Sequence, residues 1–298
     1  MRVEWKNEEQ KPQSLKKLVT EHGVSHRMYS TLKAIPTSFQ IQGQPIQPNR
    51  EIAPGETVTV TFPPEAADPQ VAVSHEPLEI LYEDDNWLVV NKPAGLTSVP
   101  GPANATDTLV NRIKGHLIEE NADDLRPHII TRLDRFTSGV VLVAKNRLAN
   151  SYANQALADK TLDKRYLAIV KGHLKNEHGL IDLPIGRVDE HLYREVTENG
   201  KPSKTEYWVK KRLPQATVVE VKLHTGRTHQ IRVHFTYAGH PLLGDELYHG
   251  PLEMGIQRQA LHAEQLSLFD PFQKQTLQFT APIPTDMQRV MEEGAYEK

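Results

Sequence analysis

Asp134 stands where chemistry is easiest to imagine. It lies between Arg132 and Arg135 in the segment 131–139, T-R-L-D-R-F-T-S-G, just ahead of the apolar run V-V-L-V-A at 140–144. Nearby cations favour the ionised form of a carboxylate, and a carboxylate nucleophile has to be ionised to act. Aspartates also brace turns through their own backbone. Residue type alone therefore leaves a nucleophile and a turn brace equally open. The other dense group of reactive side chains is His224, His229, His234 and His240. On a helix, His229 and His234 point about 140° apart at ~100° per residue, and the chain has no cysteine, so no metal site is expected. There is no P-loop, no G-x-G-x-x-G after a strand and no H-E-x-x-H. No cofactor is expected either.

The elements that must position these residues follow from periodicity and punctuation. Ser14 is placed to cap a short helix with Leu15, Leu18 and Val19, closed by Gly23. Ser25 is placed to cap a second, with Met28, Leu32 and Ile35 on one stripe and Pro36 as its stop. Strands are expected near 39–41 and 58–62. Together these make a small α+β module over 1–63. Residues 64–78 are rich in Pro, Ala and Glu and read as a linker.

A larger domain, 79–298, is expected to follow. Strands are predicted at 80–82, 87–90, 140–144, 166–170 and 218–223, and a helix over 147–158. Thr228 is placed to cap a helix with Ile231, His234, Phe235 and Ala238, ended by Gly239 and Pro241. The fold class expected is α+β: a mixed, mostly antiparallel sheet with flanking helices.

The 298 residues carry 35 Lys and Arg against 38 Asp and Glu, a formal net charge of -3. A protein that holds nucleic acid by overall charge is normally basic, so any such footprint has to be local. Lys160, Lys164, Arg165, Lys171 and Lys175 form one basic cluster, and Lys201, Lys204, Lys210, Lys211 and Arg212 another. Arg27 and Lys33 add charge to the second N-terminal helix. Residues 1–10 are polar, and no stretch approaches the ~18 uninterrupted apolar residues of a membrane span. A cytoplasmic protein without membrane contact is expected.

Several segments, in order, resemble the motifs of the RluA/RluD-type pseudouridine synthases. N-K-P-A-G at 91–95 matches an opening N-K-P-x-G. R-L-D-R-F-T-S-G at 132–139 resembles H-R-L-D-x-x-T-S-G. K-R-Y-L-A-I-V-K-G at 164–172 looks like K-x-Y-x-A-x-V-x-G. L-H-T-G-R-T-H-Q-I-R-V-H at 223–234 resembles L-x-T-G-R-x-H-Q-I-R-x-H, and G-H-P-L-L-G-D at 239–245 follows. L-H-A at 261–263 closes the series. The resemblance spans roughly 80–284. Residues 14–62 are similar to the alpha-L RNA-binding domain often found ahead of this catalytic domain. Three positions depart from the pattern: Thr131 for the usual His, Phe136 for a polar residue, and Lys204 for Ala.

The resemblance implies an enzyme that isomerises uridines in structured RNA to pseudouridine, without a cofactor. Asp134 would be the catalytic carboxylate, attacking the ribose or abstracting a proton to give a glycal. Arg227 would pair with Asp134, and Tyr166 would stack on the target base and serve the late proton transfer. Taken alone, Tyr166 reads as a core aromatic on a strand and Arg227 as a surface arginine. Arg132, Arg27, Lys33 and Lys92 are the expected RNA contacts. A base must leave its stack to react, and a guanidinium such as that of Arg132 both stacks and binds phosphate. Ribosomal RNA of the large subunit is the favoured partner, with transfer RNA as the other, and the protein is expected to be a monomer. A glycoside hydrolase normally needs a pair of carboxylates, and no second acid lies in a matching motif. An inactive RNA-binding protein would have lost Asp134, Tyr166 or Arg227.

Overall fold

Ser14 and Ser25 open the first two helices as their positions suggest. Ser14 Oγ accepts from Lys17 N ahead of the helix Leu15–Glu21, and Ser25 Oγ accepts from Met28 N ahead of His26–Leu32. Ile35 falls past the end of the second helix. Both pack on a four-stranded antiparallel sheet with the strand order Arg2–Lys6, Thr57–Thr61, Phe39–Ile41, Gln44–Pro45. Leu15, Leu18, Val19, Leu32, Phe39 and Val60 fill the core between these layers. This is a computed structural model, and it describes residues 1–102, 104–187 and 193–293. The end of the expected catalytic domain, 294–298, lies outside the described residues.

No helix or strand forms over residues 63–79, yet the segment is fastened along its length. Asp124 accepts from Glu65 N, Lys114 Nζ donates to the carbonyls of Asp68 and Val71, and Asn111 Nδ2 donates to that of Ala72. Gly115 permits the close passage of this strap, since a Cβ there would sit 2.1 Å from the Ser74 carbonyl oxygen.

The rest of the chain is an α+β layer built on a ten-stranded sheet, as the periodicity suggests. Its main path runs His178–Asp182, Lys204–Arg212, Ala216–Leu223, Asp163–Lys171, Leu261–Asp270, Ser138–Ala144, Trp87–Lys92, Ile80–Glu83. Gln275–Thr280 and His128–Ile129 pair at its sides. Among the described residues the single parallel pairing joins Ser138–Ala144 to Leu261–Asp270, through Ser138 opposite His262 and Gly139 opposite Ala263. All seven residues of Ser138–Ala144 are buried, as its unbroken apolar run implies. Gly139 is required there: its φ is +114° and a Cβ would meet the Ala263 carbonyl oxygen at 2.2 Å.

Helix Arg147–Ala158 forms where predicted and links the two layers. Leu148 joins the N-terminal core, Ser151 Oγ donates to Gly23 O, and Tyr152 Oη donates to His22 O. The expected cap at Thr228 is not used. His229 takes the cap position of helix Gln230–Tyr237 with φ +58° and no side-chain cap bond, so the turn before this helix is left-handed. No helix among the described residues is long and apolar enough to cross a membrane.

Candidate active site

Asp134 projects from the loop between His128–Ile129 and Ser138–Ala144 into a cavity of about 520 Å³. The loop is tied at alternate residues. Thr131 Oγ1 accepts from Leu142 N, Ser98 Oγ donates to Leu133 O, Gly95 N donates to Arg135 O, and Thr137 N donates to Asp134 O. Asp134 is held at a fixed point while its side chain stays 27 % exposed to the cavity.

Tyr166 enters the cavity from strand Asp163–Lys171. The pairing of this strand with Leu261–Asp270 slips between Arg165 and Tyr166, a local irregularity of the kind that re-aims side chains next to active sites. The tyrosine is 7 % exposed. Burial pushes its phenol well above the ordinary range, and the Asp134 carboxylate adds to the effect. The phenol is therefore protonated at neutral pH: a donor and a flat surface.

The carboxylate partner is Arg232, on helix Gln230–Tyr237. Its Nη1 donates to Asp134 Oδ2 at 3.1 Å, while Nε and Nη2 grip Asp245 at 2.7 and 2.8 Å. Its guanidinium lies 4.7 Å from the centre of the Tyr248 ring. The pairing expected of Arg227 is thus corrected. Arg227 lies in the turn before the helix, exposed on the cavity wall, and its Nε donates to Pro202 O. A sequence signal for Arg232 did exist: an arginine flanked by the buried Ile231 and Val233 has to find a carboxylate.

The RNA-contact expectation for Lys92 is also corrected. Lys92 is fully buried, and its Nζ donates to the carbonyls of Pro93, Leu96 and Arg135 at 2.9, 2.8 and 3.1 Å. Burial pushes its pKa down to about 7, against the pull of Asp134. It cannot reach a bound polymer; it pins the Asp134 loop to the 91–96 loop.

Arg132 and Arg135 line the cavity with exposed side chains, and Lys164 lines it from strand Asp163–Lys171. Phe136, next in sequence, is 43 % exposed under the Arg135 guanidinium. Arg27 and Lys33 are exposed on and just past the second N-terminal helix. The two basic clusters are paired only in part, at one residue of the first and three of the second. Arg165 pairs with Asp163 and Glu220, Lys204 with Asp182, Lys210 with Glu220, and Arg212 with Glu177. His229, to which the sequence reading gave no role once a metal site was set aside, lines the cavity with Nε2 3.9 Å from Asp134 Oδ2. No metal-binding cluster occurs among the described residues.

Residues 86–237 match the family model described as RNA pseudouridylate synthase. The chain is 37 % identical over 279 residues to the uncharacterized RNA pseudouridine synthase YjbO of Bacillus subtilis, covering 93 % of this chain and 98 % of that one. It is 38 % identical over 247 residues to ribosomal large subunit pseudouridine synthase D of Nitrosomonas europaea, covering 80 % and 71 %. Among solved structures, human RNA pseudouridylate synthase domain containing 1 superposes with a TM-score of 0.58 at 29 % identity, over 70 % of this chain and 84 % of that one.

Proposed function

We propose, for a chain that belongs to the RNA pseudouridine synthase family, that Asp134 is the carboxylate that opens the glycosidic bond and that the substrate is large-subunit ribosomal RNA. The observation that carries this reading is the meeting of Asp134, Arg232 and Tyr166 in one cavity, with the arginine anchored by a second carboxylate. The reaction breaks the bond from ribose C1′ to N1 of uracil and makes one from C1′ to C5. The C5 proton leaves and N1 gains one, so no redox partner is needed. Asp134 either attacks C1′ or takes a proton from C2′ to give a glycal. The Tyr166 phenol lies against the base, protonated at rest; it gives its proton to N1, and the phenolate so formed takes the one from C5, so the exchange balances.

Arg132, Arg135 and Arg227 ring the opening and would hold the phosphates beside an extruded uridine. Residues 1–63 would act as an accessory alpha-L-type RNA grip through Arg27 and Lys33, with 64–78 as the connection and 79–298 as the catalytic domain. A monomer in the cytoplasm fits this reaction. The ribosomal choice is supported by the name of the Nitrosomonas relative. The test is release of tritium from RNA labelled at uridine C5, with ribosomal and transfer RNA offered separately. Release from ribosomal RNA, with a new pseudouridine mapped to it, supports the proposal. Release from transfer RNA alone contradicts the substrate.

A further inference from the structure

Behind Asp134 lies a hydrogen-bonded chain with no part in the scheme above. Tyr248 Oη accepts from Arg194 N at 2.9 Å and lies 2.9 Å from His229 Nδ1. Burial pushes the Tyr248 phenol up to about 12, so it keeps its one proton. Of its two partners Arg194 N can only donate, so Nδ1 of His229 is the one that can accept the phenol proton. The imidazole is then an acceptor at Nδ1 and carries its hydrogen on Nε2, because the partner of one ring nitrogen fixes the tautomer. Burial also moves His229 below the ordinary histidine range, against the pull of Asp134 and Asp245, so the ring is neutral.

His229 Nε2 lies 3.9 Å from Asp134 Oδ2, too long for a hydrogen bond. The gap suits one oxygen atom bonded to both. Nε2 can only donate and a carboxylate can only accept, so the bridging group has to accept from one and donate to the other. A water or a hydroxyl does this, and a bound nucleotide brings the hydroxyl. Within an RNA chain the 3′ and 5′ oxygens are esterified, and the 2′ oxygen is the free hydroxyl of each nucleotide. His229 is held in a left-handed backbone conformation, φ +58°, which is costly for a residue with a side chain. Such strain clusters where a side chain has to be aimed.

We propose that His229 Nε2–H and Asp134 together hold the 2′-hydroxyl of the target uridine, with Tyr248 fixing the histidine tautomer. This rests on the synthase reading and adds a contact by which the site tells RNA from DNA. Tyr248 is a positioning residue, and His229 touches the substrate.

Two measurements test it. Nitrogen NMR of the wild-type protein without RNA at pH 7 should show His229 as the Nε2–H tautomer, and Tyr248→Phe should lose that preference. An Nδ1–H ring or an imidazolium in the wild type overturns the proposal. In single-turnover tritium release at saturating RNA, His229→Leu should be slower by about tenfold, while His229→Gln, which offers an N–H near the same place, should recover to within about threefold. RNA affinity should change little in both. Replacing uridine by 2′-deoxyuridine should slow the wild type by about tenfold and His229→Leu by less than about threefold, because the donor is already gone. Equal penalties in the two proteins overturn the contact. A wild type that releases no tritium from any RNA overturns the synthase reading, and the contact with it. An active wild type with equal penalties overturns the contact alone.

Discussion

Arg232 and Asp134 stand 98 positions apart in the chain and meet at 3.1 Å, with the arginine locked from behind by a two-point bond to Asp245. A guanidinium suits this task because its fork serves one carboxylate with two nitrogens and keeps a third for another.

Arg232→Lys keeps the charge but cannot fill both roles, and the single-turnover rate should fall by about a hundredfold or more. Arg232→Met should also cost about 3–5 kcal/mol of stability, since Asp245 would be left as a buried, unpaired charge. Arg227→Met should change the saturated rate by less than about tenfold and act mainly on RNA affinity. Kinetics and denaturant melts of the three variants check this. A rate lost with Arg227 and kept with Arg232→Lys would reverse the assignment.

Lys92→Met would take the donor from the buried Leu96 carbonyl, at about 1–3 kcal/mol if it stays unmet, and would cut the ties to Pro93 O and to Arg135 O, which keeps Gly95 N. The variant should melt at lower denaturant and lose activity through a loosened Asp134 loop. The folded pKa of about 7 lies below the ~10.4 of an unfolded lysine, so the unfolded chain binds the proton more tightly between these values. Wild-type stability should therefore rise relative to Lys92→Met as pH goes from 7 towards 10. Parallel curves would show that Lys92 does not titrate in this way.

The contrast between Lys92 and Arg232 shows what the sequence disclosed. Helix caps at Ser14 and Ser25 and the buried strand Ser138–Ala144 were legible because each rests on neighbours in the chain. The ordered motifs also drew attention to Asp134, which does line the cavity. The partner of Asp134 was not legible, because Arg227 and Arg232 share one motif and differ only in which side of the helix start they occupy. The left-handed turn at His229, which replaces the expected Thr228 cap, puts residue 227 on the rim and residue 232 on the floor. Lys92 looked like a surface cation because its three acceptors are backbone carbonyls, which carry no residue signature.

Burial holds His229, His234 and His262 below the usual histidine range. An unfolded histidine binds its proton near ~6.5, above the folded values. The stability these groups contribute is present above that pH and is lost as pH falls through their folded values. The melting temperature should drop as pH goes from 7 to 5, and His262→Gln should flatten that slope. An unchanged slope would mean that His262 is not buried in its neutral form.

If the N-terminal module is an RNA grip, replacing Arg27 and Lys33 by Gln should weaken binding to long structured RNA. The slope of log affinity against log salt should fall by roughly one for each phosphate that is no longer neutralised. The rate at saturating RNA should stay within about threefold of wild type, since Asp134, Tyr166 and Arg232 are untouched. An unaltered salt slope would remove these residues from the RNA path.

Asp134→Asn keeps the size of the side chain and removes its charge, which makes it the sharpest test of the mechanism. Tritium release from uridine C5 should fall to background in the variant. RNA binding should stay within about tenfold, or 1.4 kcal/mol, of wild type. Substantial release by a folded Asn variant would contradict the assignment of the Asp134 carboxylate as the group that starts the reaction.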